Sequence, residues 1–155
     1  MDMKELFEWA KAFPKIDLHR HLEGSISPET LITVAKKYGC TLPAYDINAL
    51  KLLIQMNYDF PGFRNFLEKF KVYRGFYPCK EAIEDVAYAA VKEAAEDNVK
   101  YLELRYSPSH FAAGKKFPES DVIEWIQGAI KRASRDFHII VIPLLTISRD
   151  YGLEL

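Results

Sequence analysis

Three segments with strand character, separated by amphipathic helical stretches, constrain this 155-residue chain more than any other feature. Lys15 to His21 alternates, with Ile16 and Leu18 on one side and Asp17, His19 and His21 on the other. That is the period of a strand whose polar face must be wet, paired or functional. Val99 to Ser107 repeats the pattern, setting Leu102, Leu104 and Tyr106 against Tyr101, Glu103, Arg105 and Ser107. Phe137 to Leu145 is a nearly unbroken apolar run, as expected of a parallel strand buried on both faces. Between them the period changes to that of a helix. Leu6, Trp9, Ala10 and Phe13 precede the stop at Pro14, and Ser27-Pro28 starts a helix that Gly39 ends. Helices are predicted over 48–56, over 60–74 closed by Gly75, and over 81–97 with Ile83, Val86, Ala90 and Ala94 facing inward. Pro118 opens a further one, with Val122, Ile126, Ala129 and Ala133 on one face.

Strands alternating with helices predict an α/β fold with a parallel sheet covered by helices, either doubly wound or a (β/α) barrel. A doubly wound nucleotide binder needs a glycine-rich turn after its first strand. Here that turn reads His21-Leu22-Glu23-Gly24-Ser25, with a single glycine, so the barrel gains weight. Polar side chains at the C-terminal ends of the first two strands are also what a barrel enzyme needs at its working rim. No low-complexity stretch or repeat divides the chain, which reads as one domain.

Composition excludes several classes of function. Twenty-one Lys and Arg balance twenty-two Asp and Glu, so no electrostatic field recruits nucleic acid or an anionic membrane. No run approaches the ~18 apolar residues that span a bilayer, and Met1 to Trp9 mix acidic with apolar residues in place of the uninterrupted apolar stretch expected of a secretory signal. A small neutral partner is favoured. Cys40 and Cys79 fit no metal-binding spacing and are expected to be reduced thiols in a cytoplasmic protein.

His19 and His21 carry the chemistry. Two apart on one strand face, their Cα atoms are expected about 6.6 Å apart, close enough for both imidazoles to lean onto one ion. A pair of half-exposed histidines making ordinary hydrogen bonds is the alternative. Of the other two histidines, His138 falls at the far end of the third strand and is expected to be structural, whereas His110 falls on the working rim.

The run from Pro14 to Leu31, PKIDLHRHLEGSISPETL, resembles the opening motif of the adenosine deaminase family. Phe66-Leu67-Glu68-Lys69-Phe70 is similar to that family's apolar lid helix, and Glu103 to Pro108, ELRYSP, to its second strand and following turn. The resemblance implies a zinc-dependent (β/α)8 barrel of the metal-dependent hydrolase type that converts adenosine to inosine and ammonia. By that resemblance His19 and His21 are zinc ligands, with His21 also beside the substrate. Glu23, an Asp in the animal members, contacts the ribose. Phe66, Leu67 and Phe70 line the purine pocket, against the alternative of a plain buried helix stripe. Ser107 offers a substrate-side hydroxyl, against the alternative of stabilising its turn.

Three strands fall short of the eight that close such a barrel. The sequence is therefore expected to be the N-terminal portion of a bacterial-type deaminase. The acid Glu, the second catalytic His and the remaining metal ligands would lie beyond Leu155, so no catalytic residue is expected within the chain. Alone it is expected to be inactive, and to associate with itself or with a complementary C-terminal portion, because its sheet edges are unpaired. The expected ligand is a purine nucleoside. Other 6-aminopurines, namely aminodeoxyfutalosine, an N6-modified AMP or adenine, remain alternatives, as does a non-catalytic metal-binding or interaction module.

Overall fold

A computed structural model describes residues 2–56, 62–73, 76–113 and 115–147. Among them three parallel strands form one sheet in the order β1-β2-β3: β1 Lys15–His21, β2 Val99–Tyr106 and β3 Ile140–Leu145. Seven helices accompany them: α1 Met3–Ala12, α2 Pro28–Tyr38, α3 Ile47–Ile54, α4 Phe63–Lys69, α5 Lys80–Glu96, α6 Pro108–Ala112 and α7 Glu119–Asp136. Two 3-10 turns, Leu22–Gly24 and Phe70–Val72, complete the order. None of these helices is long and apolar enough to cross a membrane.

The helix boundaries follow from local chemistry. Asp2 and Glu5 make a reciprocal capping box at the start of α1, and the Ser27 side chain accepts the Thr30 N–H ahead of Pro28 at the start of α2. Gly39, at φ 69°, closes α2 in the left-handed conformation that glycine adopts without strain. The expected helix over 60–74 appears as α4 followed by a 3-10 turn, and its two ends lie outside the described residues.

The core sits where β2 meets α5 and α7. Leu102, Leu104 and Tyr106 are fully buried, as are Ile83 and Val86 of α5 and Val122, Ile126, Ala129 and Ala133 of α7. Each large apolar side chain so buried contributes roughly 1.5–3 kcal/mol.

Two expectations about the outer strands are corrected. The strand predicted from Phe137 begins at Ile140, because Phe137 caps α7 and His138 turns the chain at φ 52°, letting Ile139 N–H reach the Ser134 carbonyl. Nor is β3 buried on both faces: Ile140 is 61% and Leu145 53% exposed. It pairs with β2 alone, and the helix α7 that packs on it leaves much of both faces open. β1 also departs from strict alternation. Asp17 pairs with Leu102 and Arg20 with Leu104, so three steps on β1 match two on β2. The irregularity lets Asp17 and Arg20 form an ion pair, Nε to Oδ2 2.8 Å, which strict alternation would place on opposite faces.

Candidate active site

The C-terminal ends of the three strands open onto one cleft of about 980 Å³. From β1 come His19, His21 and, one residue beyond the strand, the 3-10 turn carrying Glu23; from β2 comes Ser107; from β3 come Thr146 and Ile147. The opposite wall is helical, with Lys51 and Gln55 at the end of α3 and Phe66, Leu67 and Phe70 along α4 and its continuation. All seven residues singled out from the sequence, His19, His21, Glu23, Phe66, Leu67, Phe70 and Ser107, therefore line one space.

The two imidazoles lie side by side, with ring centres 5.4 Å apart and planes at 52°. Two imidazoles on one tetrahedral zinc, with Zn–N of about 2.05 Å and roughly 1.15 Å from nitrogen to ring centre, would have ring centres about 5.2 Å apart. The observed separation of the ring centres is therefore of the size that two imidazoles on one ion require. Among the described residues no group of three His, Cys, Asp or Glu comes together. His21 is held toward its neutral form, the form that binds metal, first by burial and then by the positive ends of His19 and Arg105.

Glu23 is 6% exposed, although it stands beside open cleft. Its Oε1 accepts the Ser107 backbone N–H at 2.6 Å, which ties the end of β1 to the end of β2. Its Oε2 has no hydrogen-bond partner, and His21 Nδ1 lies 3.9 Å away. Burial pushes the Glu23 carboxyl up, while the backbone N–H groups of Ser107 and Glu23 pull it down. An unpartnered carboxylate oxygen in such a place is a ready acceptor for a hydroxyl or amine.

The helical wall is built differently. Phe66 and Leu67 are 45% and 41% exposed and Phe70 is half-buried, so no residue of this stripe is fully buried in the chain described. Phe66 and Phe70 meet edge to face at 5.1 Å, and Phe70 lies over Gly24 so closely that a Cβ there would touch its ring at 3.4 Å. Ser107 Oγ bonds Ser109 Oγ at 2.8 Å and makes no cap bond to α6. His110 is buried, its ring 6.3 Å from Tyr77 and 5.4 Å from Phe111, and it lines the cleft without joining a metal-binding group of three. Asp17 accepts from Arg20 Nε at 2.8 Å, and the buried Arg105 Nε has no hydrogen-bond partner.

Sequence reasoning missed Thr146, Ile147, Lys51 and Gln55, which carry no motif and reach the cleft only because the chain returns there. Thr146 is placed by its N–H bonding the Tyr106 carbonyl at 2.9 Å.

A polar cleft at the C-terminal ends of parallel strands, with helices on the sheet, is the arrangement of a portion of a (β/α)8 barrel. Two solved structures share the fold. An adenine deaminase from Arthrobacter aurescens superposes with TM-score 0.74 at 23% identity, covering 92% of this chain and 43% of that one. An amidohydrolase from Burkholderia ambifaria, with bound Zn, superposes with TM-score 0.75 at 23% identity, covering 92% and 38%. The adenosine deaminase family profile matches residues 14–154, and the chain belongs to that family. It is 34% identical over 142 residues to the adenosine deaminase of Edwardsiella ictaluri and 35% identical over 144 residues to that of Aliivibrio fischeri. Those alignments cover 92% and 93% of this chain, which spans 43% of the length of either relative.

Proposed function

We propose that the complete protein hydrolyses the 6-amino group of a purine nucleoside, adenosine in the first instance, to give inosine and ammonia. The observation that carries this reading is the pair His19 and His21, ring centres 5.4 Å apart, beside a buried carboxylate with one unpartnered oxygen. The relatives named adenosine deaminase support it over most of this chain's length.

In this reading His19 and His21 hold a zinc ion as neutral imidazoles. The metal, when bound, would supply a water acidified toward neutrality, and so a nucleophile at neutral pH. The chain's own residues bind and orient. Glu23 Oε2 accepts a hydrogen bond from a ribose hydroxyl, while its Oε1 stays on the Ser107 N–H and fixes the carboxylate in place. Phe66, Leu67 and Phe70 cover the purine face and exclude water from the reacting edge. The Ser107 hydroxyl, already paired with Ser109, is placed to turn toward substrate. We assign the acid that protonates the ring, and further metal ligands, to the part of its longer relatives that this chain does not span. The protein is then cytoplasmic, and this portion alone is inactive until the complementary portion completes the site.

A second substrate reading has a specific basis, because structures that share the fold include an adenine deaminase and an N6-methyl-AMP deaminase from Arabidopsis thaliana. Turnover of adenosine, AMP, N6-methyl-AMP and adenine by the full-length protein decides between them. Adenosine with the highest kcat/KM supports the proposal, and preference for a nucleotide or the free base overturns it.

A further inference from the structure

His19 and His21 reach the cleft because β1 carries one residue more than β2 over the same stretch. Ile16 pairs with Tyr101 and Asp17 with Leu102. Had that register run on, His19 would stand beside Leu104 and His21 beside Tyr106, both fully buried on the face that forms the core. The two imidazoles would then be turned into apolar packing, since a one-residue slip exchanges the faces of a strand. Instead Arg20 pairs with Leu104 and His21 with Arg105, because Leu18 and His19 together stand opposite Glu103. The extra residue puts His21 on the side of Arg105, and two residues further along that side Ser107 lines the same cleft. His19 goes with it, the two ring centres 5.4 Å apart.

One side chain closes this bulge. Asp17, the last residue in register before it, accepts the His19 backbone N–H on Oδ1 at 3.1 Å and the Arg20 Nε on Oδ2 at 2.8 Å. The carboxylate thus holds a residue inside the irregularity and the first residue back in register after it. The Asp17 and Arg20 side chains are only 26% and 27% exposed, so water screens their charge-assisted bond less than it would on an open surface. Among the described residues Asp17 joins no metal-binding group of three, and its two bonds go to the strand itself.

We propose that Asp17 and Arg20 are positioning residues, whose clasp sets the β1 bulge and thereby aims the His19 and His21 imidazoles at one point in the cleft. The inference rests on the reading of these histidines as ligands of one ion. Partners of metal-binding histidines commonly orient the ring through its second nitrogen; here the hold is on the backbone of the ligand, one step further from the metal. A turn that merely stabilised the strand would affect folding and leave the geometry of a bound ion alone.

The test uses the full-length protein, stripped of metal and titrated with zinc in competition with a chromophoric chelator. It is then loaded with cobalt(II), whose visible absorption reports coordination geometry, with each variant kept below its own onset of urea unfolding. D17A is expected to bind zinc about 10- to 100-fold more weakly than wild type and to shift the cobalt(II) bands. D17N keeps an oxygen for the His19 N–H and loses the ion pair, so it should recover part of the affinity, to about 3- to 10-fold below wild type. D17A with wild-type zinc affinity, or with unshifted cobalt(II) bands, overturns the clasp. Should D17A not fold, D17N at wild-type affinity overturns it in the same way. Wild-type protein that takes up no zinc, or H19A that binds it as tightly as wild type, overturns the reading of the histidines along with the clasp. The two failures are therefore told apart, and no readout depends on deaminase activity.

Discussion

On the strand side of the cleft, Glu23 is 6% exposed and clamped to the Ser107 N–H, and the ends of β1, β2 and β3 are stitched together by backbone bonds. On the helical side, Phe66 and Leu67 stand 45% and 41% exposed on a helix with no buried residue. One wall is positioned by the sheet and by the packed layer of α5 and α7 behind it. The other rests on aromatic contacts such as Phe70 over Gly24. The difference teaches where chemistry and where access belong: reacting groups need sub-ångström placement, which a sheet rim supplies, whereas a wall that admits a ligand must yield.

Breaking the strand wall at its histidines should have the largest effect. In the full-length protein H19A is expected to reduce bound zinc well below one per chain and to lower kcat/KM more than about 1000-fold, as befits loss of several kcal/mol of metal-derived stabilisation. Elemental analysis with steady-state kinetics checks both; zinc retained at one per chain would contradict the assignment. Undermining the packed layer beneath that wall comes next. L104A leaves a cavity against α5 and α7 and is expected to cost about 2–5 kcal/mol in urea unfolding. I16A sharpens the contrast, because Ile16 is 70% exposed here. Its cost should stay within about 0.5 kcal/mol if the outer face of β1 remains open, and should rise above about 1.5 kcal/mol if further chain covers it.

E23Q keeps an oxygen for the Ser107 N–H and removes only the charge. It is expected to raise KM about 10- to 100-fold with a smaller change in kcat, and an unchanged KM would remove Glu23 from ligand binding. F66A, on the yielding wall, should raise KM less than about 10-fold and leave stability within about 0.5 kcal/mol, given its exposure. A loss of stability above 2 kcal/mol would mean that this wall is as firmly built as the other.

Much of this was legible in the residues, for identifiable reasons. The inward stripes of α5 and α7 follow a 3.6-residue period strictly enough that Ile83, Val86, Ala90, Ala94, Val122, Ile126, Ala129 and Ala133 are all buried. Ser27-Pro28 and Gly39 mark the ends of α2 because capping is a local affair of two or three residues. Strand burial was less legible. The Phe137 to Leu145 run has the composition of a buried strand, but composition does not say whether covering helices are present, and here they leave Ile140 and Leu145 largely open. The Asp17–Arg20 pair was hidden for a related reason, since a register shift is a property of two strands together.

The sequence by itself determined the alternation of strands and helices, their caps, and a His-x-His-x-Glu segment at a strand end. Each of these depends on residues within a few positions of one another. Only the tertiary structure decided that Ser107 would hold Glu23 from 84 residues away, and that Thr146, Lys51 and Gln55 would share a cleft with His19. Those relations follow from the parallel register of β1, β2 and β3 and the antiparallel packing of α2 on α5, which sum many weak contacts between distant segments and have no local signature in the chain.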